Sequence, residues 1–305
     1  MAPVWKEKFS FNTGAVRTRD ILYFVLTHDK LASEQKPHAE FAIWHAGKWG
    51  DAGMKKWASP GLTVLRQPKE QLLGVGEFGE VFVQGSGDIH EETVQAGADQ
   101  PSQRGTLRTA RWIGSHAYAA GMDRQVYRRD GVNVWTAIDQ SMRPPKGDPS
   151  KVVGFESIDG FSEQDIYAVG WQGAIWHYDG KTWMQEDSPT NVILGGVCCA
   201  GDGMVYACGR LGTLLRGKAG RWEVLKHEST EADLYGLAWY EGALYVASLK
   251  GVFRLTPAGT LDLIVMGDED PATTAYHLSA ADGILMSVGA KDVMVFNGKT
   301  WTRIE

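Results

Sequence analysis

Cysteine is scarce in this chain: three in 305 residues, Cys198, Cys199 and Cys208, all within one short stretch. An odd, clustered set of thiols does not make a disulfide framework, and it fits a reducing compartment. Long apolar runs are lacking too. No stretch approaches the roughly 20 residues that span a bilayer, and the opening MAPVWKEKFSFN puts charges where an export signal would place its apolar run. The expectation is a cytoplasmic protein with no membrane partner. Positive charge is not in excess, since 31 Lys and Arg face 37 Asp and Glu for a net charge of −6. That balance excludes general nucleic-acid binding, which needs a basic face to neutralise phosphates.

Catalytic spacing is also missing. There is no Walker loop, no GxSxG elbow and no glycine fingerprint in a strand–turn–helix context. The eight histidines form no HExxH pair, and no Cys-x-x-Cys occurs. GVGEFGEVF at 74–82 has the glycine spacing of a kinase loop but reads as strand, loop, strand, with no kinase remainder behind it. Cys198-Cys199 sits in a predicted inner strand, where buried thiols act as small apolar side chains. No catalytic residue, metal site or cofactor is assigned.

What is abundant is glycine, 37 residues, and tryptophan, 12 residues. They belong to a repeat, clearest in DIYAVGWQGAIWHYDGKTW at 165–183. Here two short apolar runs flank a tight loop, and Asp179-Gly180 turns the chain into a third run carrying Trp183. Equivalent second strands start at Ile21, Gln71, His116, Asp165, Met204, Ala243 and Ile284, in steps of 39 to 50 residues. Third strands follow at 41–45, 80–84, 125–129, 174–178, 213–217, 251–255 and 292–296. Fourth strands carry Trp49, Trp135, Trp183, Trp222 and Trp301, with Ile89–Val94 and Leu261–Val265 in the other two units. First strands are read from Leu62, Thr106, Val152, Ile193, Leu234 and Thr274. Val4 to Phe9 is β-prone and is expected to add to the strand that closes the ring, with no partner fixed. Four strands per unit, repeated seven times, predict an all-β fold: a β-propeller of seven four-stranded blades, with six as the fallback count. Residues 1–305 are expected to form one such domain.

The pattern resembles the Gly- and Trp-rich β-propeller repeats of bacterial proteins, the group of photosystem II assembly-factor-like and BNR-type chains. The best-matching pieces are Tyr167–Trp183 and Ser287–Trp301, and the likeness runs from about residue 10 to Glu305. It departs from neighbouring families: the spacer of a BNR Asp-box is missing at Asp179-Gly180 and Asn297-Gly298, the kelch Gly-Gly doublet is absent, and no Trp-Asp dipeptide occurs. The resemblance implies the propeller fold and leaves activity open.

Loop lengths are one-sided. Thr27–Glu40 and the segments between units are long, whereas the other connections are tight turns such as Asp130-Gly131 and Asn297-Gly298. Long loops on one rim of a rigid ring are where function is expected. Their charge is split: Lys55, Lys56, Arg143 and Lys146 fall in the first four units, and Asp268, Glu269 and Asp270 in the last three. Such a split suits a partner of complementary polarity, or solvation alone. Trp57 and Trp171 lie in loops of this face and are the aromatic candidates for a binding hot spot; the alternative is that each covers a blade edge. The fourth-strand tryptophans are read as packing between blades. Arg66, Arg108, Glu156 and His277 are expected to face the axial channel, a set that fits a salt-bridged, hydrated channel better than a metal cage.

The function these features favour is a non-enzymatic scaffold, monomeric alone, that holds another protein on its loop-rich face as an assembly factor, an adaptor or an inhibitor of the immunity type. The alternatives are an enzyme with an axial site (a lactonase, lyase or glycosidase) and a lectin-like carbohydrate binder.

Overall fold

A computed structural model describes residues 5–94, 97–144, 152–266 and 272–305. Seven four-stranded antiparallel sheets follow one another along the chain as the blades of a propeller. The innermost strands are Phe9–Thr18, Gly61–Leu65, Leu107–Ile113, Phe155–Ser162, Leu194–Cys199, Leu234–Tyr240 and His277–Ala281. Blades 4 and 7 therefore start their inner strands three residues later than the β-prone runs from Val152 and Thr274 suggest.

The second strands are the most apolar because both their faces are covered. In Gln71–Val75 and Val205–Gly209 every residue is buried. Fourth strands lie at the periphery, and Lys48–Lys55 alternates between exposed and covered positions accordingly. A glycine ends the second strand of blades 3, 4 and 5 and follows that of blade 7 for a steric reason. A Cβ on Gly170 would stand 2.1 Å from the carbonyl oxygen of Gly154, and one on Gly289 the same distance from that of Thr274. The tight turns also repeat: Asp179 Oδ1 accepts the N–H groups of Lys181 and Thr182 at 2.8 Å, and Asn297 Oδ1 those of Lys299 and Thr300 at 2.9 Å.

Neighbouring inner strands share no ladder. Side chains staple them instead, with Thr63 Oγ1 accepting from Trp112 N at 2.9 Å, Ser157 Oγ from Val197 N at 3.2 Å and Ser279 Oγ from Val16 N at 3.1 Å. The ring closes in the same manner, contrary to the expectation of an added N-terminal strand. Trp5–Glu7 is a 3₁₀ turn, and each blade is built from one continuous piece of chain. Closure rests on a core shared by blades 1 and 7, including Phe11, Phe24, Ile284 and Met286. Trp49 Nε1 also donates to Ile304 O at 3.2 Å, and Lys291 Nζ to Phe9 O at 2.7 Å. Among the described residues no helix is long and apolar enough to cross a membrane.

Candidate functional site

In antiparallel blades the loop from second to third strand and the link to the next blade open on the same face. A cavity of about 710 Å³ runs along the axis from that face, lined by the inner strands. Five inner strands carry a β-bulge near their start, at Asn12, Arg108, Glu156, Gly195 and Tyr235. A bulge inserts an unpaired residue and re-aims its side chain; all five line the channel. Arg66, Arg108, Glu156 and His277 line it as well, the first toward the tight-turn end and the other three toward the loop-rich mouth.

At the mouth these residues form one chain of contacts. Arg108 Nε donates to Glu156 Oε2 at 3.0 Å, and Trp171 Nε1 donates to Glu156 Oε1 at 2.7 Å. Trp171 therefore joins the loop set to the channel set, half-buried and held by a carboxylate whose two oxygens are both engaged. His277 Nε2 donates to Gly14 O at 2.8 Å. Burial holds its pKa down to about 4, and the nearby Arg111 charge acts in the same direction, so the ring is neutral. Arg66 bonds Glu70 at 3.0 Å and the carbonyl oxygens of Val16 and Arg17.

Around this mouth stands an arc of apolar side chains that sequence reasoning missed. Phe78, Leu211 and Leu249 tip the second-to-third-strand loops of blades 2, 5 and 6. Tyr235 is the blade 6 bulge, and Val152 leads into blade 4. All five are between 41% and 72% exposed. Near the turns of the opposite face the described exposed side chains of this kind are Ile89, Val132, Val134, Phe161 and Met184; four of them belong to the peripheral hairpins of third and fourth strands, and Phe161 lies beneath Lys218 Nζ. The signal was present in the sequence as one apolar residue inside each tight loop, such as Leu211 between Arg210 and Gly212.

The other expected residues are distributed differently. Trp57 is half-buried between blades 1 and 2, edge-on to Phe41 with ring centroids 5.8 Å apart. Lys55 is held by Glu91 at 2.6 Å and lies over the Phe82 ring, whereas Lys56 is exposed. Arg143 belongs to an internal network, with its Nε on Asp139 at 2.9 Å and its two terminal nitrogens on Asp99 at 2.8 and 3.0 Å. Lys146, Asp268, Glu269 and Asp270 lie outside the described residues. Cys198 and Cys208 are buried free thiols, and burial pushes the Cys198 thiol up to about 12. No metal-holding group of three His, Cys, Asp or Glu side chains exists among the described residues.

No family model matches the sequence. Among solved structures, YCF48 bound to D1 peptide aligns over 96% of this chain and 92% of its own, with a TM-score of 0.69 and 13% identity. The WD40 β-propeller domain of Doa1 aligns over 97% and 92%, with a TM-score of 0.66 and 11% identity. At such identities these two show a shared β-propeller fold and nothing finer. A curated relative speaks to more than fold: immune protein Tsi7 of Pseudomonas aeruginosa is 48% identical over 301 residues, covering 97% of each protein. With that identity over nearly the full length of both proteins, the chain belongs to the family of immune protein Tsi7.

Proposed function

We propose that this chain is an immunity-type protein: a non-enzymatic scaffold, one propeller domain, that holds a protein toxin or similar client on its loop-rich face. The observation that carries the reading is the apolar arc of Phe78, Val152, Leu211, Tyr235 and Leu249 around the channel mouth. Exposed apolar side chains gathered on the rim of a concave mouth mark interaction sites on soluble proteins. The loops that bear them are short and hydrogen-bonded, as where Leu211 N donates to the Asp233 carboxylate at 2.9 Å. Little conformational entropy is therefore lost when a partner docks. Kinship with a protein named for immunity supports the same reading, and YCF48 illustrates that this architecture holds a peptide. We place the protein in the cytoplasm, monomeric until bound, with a repeat of the bacterial Gly- and Trp-rich kind.

The test uses the product of the gene encoded beside this one as the partner, purified and titrated against the full chain. Leu211→Glu combined with Leu249→Glu leaves the blade cores intact. Each leucine is worth about 1.5–3 kcal/mol when fully buried, so the pair lowers affinity at least ~100-fold. Wild-type affinity in that variant, with a well-folded ring, overturns the proposed face.

A further inference from the structure

The polar groups that face the axial channel are out of balance. Arg108 uses Nε on Glu156 and Arg111 uses Nε on Asp159 at 2.8 Å, and among the described residues nothing accepts from the terminal nitrogens of either guanidinium. Thr63, Ser157 and Ser279 each use their hydroxyl oxygen to accept a backbone N–H from the next blade. Each keeps an O–H hydrogen that these bonds do not use.

The carboxylates, by contrast, are engaged. Glu156 takes Arg108 and Trp171; Asp159 takes Arg111 on one oxygen and Cys199 N on the other at 2.9 Å. Four guanidinium groups lie in and just behind the lining (Arg17, Arg66, Arg108 and Arg111) against three carboxylates (Glu70, Glu156 and Asp159). The excess of one positive charge sits with Arg17 and Arg66 on Glu70, while Arg108 and Arg111 are each matched by one carboxylate and contribute open N–H donors rather than net charge.

We propose that the axial channel is a binding site for a small oxyanion, with the open guanidinium edges of Arg108 and Arg111 as its main donors. The two side chains leave the same strand three residues apart, about 10 Å along it, so their forks reach the lumen at two levels. Guanidinium edges take carboxylate and phosphate oxygens in pairs, and the hydroxyls of Ser157, Ser279 and Thr63 supply single further bonds. The site lies inside the mouth that the apolar arc surrounds, sharing Tyr235 and Leu249 with it, and is tested on the chain without a docked protein.

The probes are sodium malonate and sodium phosphate, titrated calorimetrically into the full chain with sodium chloride holding ionic strength constant. We expect saturable one-to-one binding of at least one probe. The two arms separate a planar carboxylate ligand from a tetrahedral phosphate. A saturable rise in melting temperature of roughly 2–5 °C accompanies it. Arg108→Gln with Arg111→Gln lowers affinity at least tenfold. Arg108→Gln with Glu156→Gln removes one pair together, leaves no carboxylate unpaired, and guards against a variant that does not fold; it also weakens binding. No saturable binding of either probe, or undiminished binding in both folded variants, overturns the site.

Discussion

Asp139 is the most deeply buried charge among the described loops of the loop-rich face, and its removal tests whether that face is held by buried ion pairs. Its carboxylate has no solvent exposure. Oδ2 accepts from Arg104 Nη1 at 2.5 Å and from Val126 N at 3.1 Å, while Oδ1 accepts from Arg143 Nε at 2.9 Å. Arg104 is itself only 8% exposed and otherwise reaches Asp123, through its carboxylate and its carbonyl, both at 3.0 Å. Asp139→Ala therefore leaves a buried guanidinium half compensated. Deleting one partner of a buried pair costs about 3–5 kcal/mol, and because Asp123 remains, the lower end, about 3 kcal/mol, applies. With a urea slope of about 3 kcal/mol/M the unfolding midpoint falls by roughly 1 M, read by tryptophan fluorescence. Asp139→Leu with Arg104→Met removes both charges and should recover more than half of that loss. A midpoint shift under about 0.2 M for Asp139→Ala, or a double variant as unstable as the sum of its parts, refutes the reasoning.

Other outcomes follow from single features. Glu40 is buried, and that burial, aided by the Asp51 carboxylate, raises its pKa to about 8 from 4.5. The folded state then binds the extra proton, so stability falls as pH rises from about 4.5 to about 8. Glu40→Gln should raise the melting temperature at pH 8 and leave it nearly unchanged at pH 4.5. His277 acts in the opposite direction: its folded pKa of about 4 lies below the ordinary 6.5, so stability is lost as pH drops from about 6.5 to 4. Thermal scans of His277→Gln should lack that acid limb. Gly170→Ala drives a methyl into the Gly154 carbonyl and should cost at least about 1–3 kcal/mol in the same denaturation assay. Wild-type stability in that variant would remove the steric account of the recurring glycine.

The fold was legible because its information is local and repeated. Each second strand announces itself as an apolar run closed by a small residue, as in DIYAVG and MVYACG, and each tight turn to the fourth strand by a glycine, preceded by Asp or Asn in blades 3, 4 and 7. Seven weak signals at a regular spacing make one strong one. Blade 1 was harder to read at its entrance because Trp5–Glu7 and the residues before Asn12 carry aromatic side chains with no strand period. There Trp5 packs on Trp49 and Phe9 from a 3₁₀ turn, and the sheet begins only at Phe9.

The site was legible in pieces only, because what joins the pieces is not local. Glu156 and Trp171 are 15 residues apart in sequence, and Glu156 and Arg108 are 48 apart; nothing in either segment alone calls for the other. A bulge hides the relation further, since it breaks the alternation by which an inward-facing residue is recognised. In LRTARW, simple alternation puts Arg108 and Arg111 on opposite faces, yet every residue from Arg108 to Trp112 lines the channel, because an inner strand turns its free edge toward the axis. The same logic explains why charge counting overstated the basic half of the rim. Arg104, Arg143 and Lys55 look available in the sequence but meet Asp123, Asp139, Asp99 and Glu91 in the fold. Once those charges are satisfied internally, what the described face offers a partner is its apolar tips, set around a channel mouth whose arginines are paired.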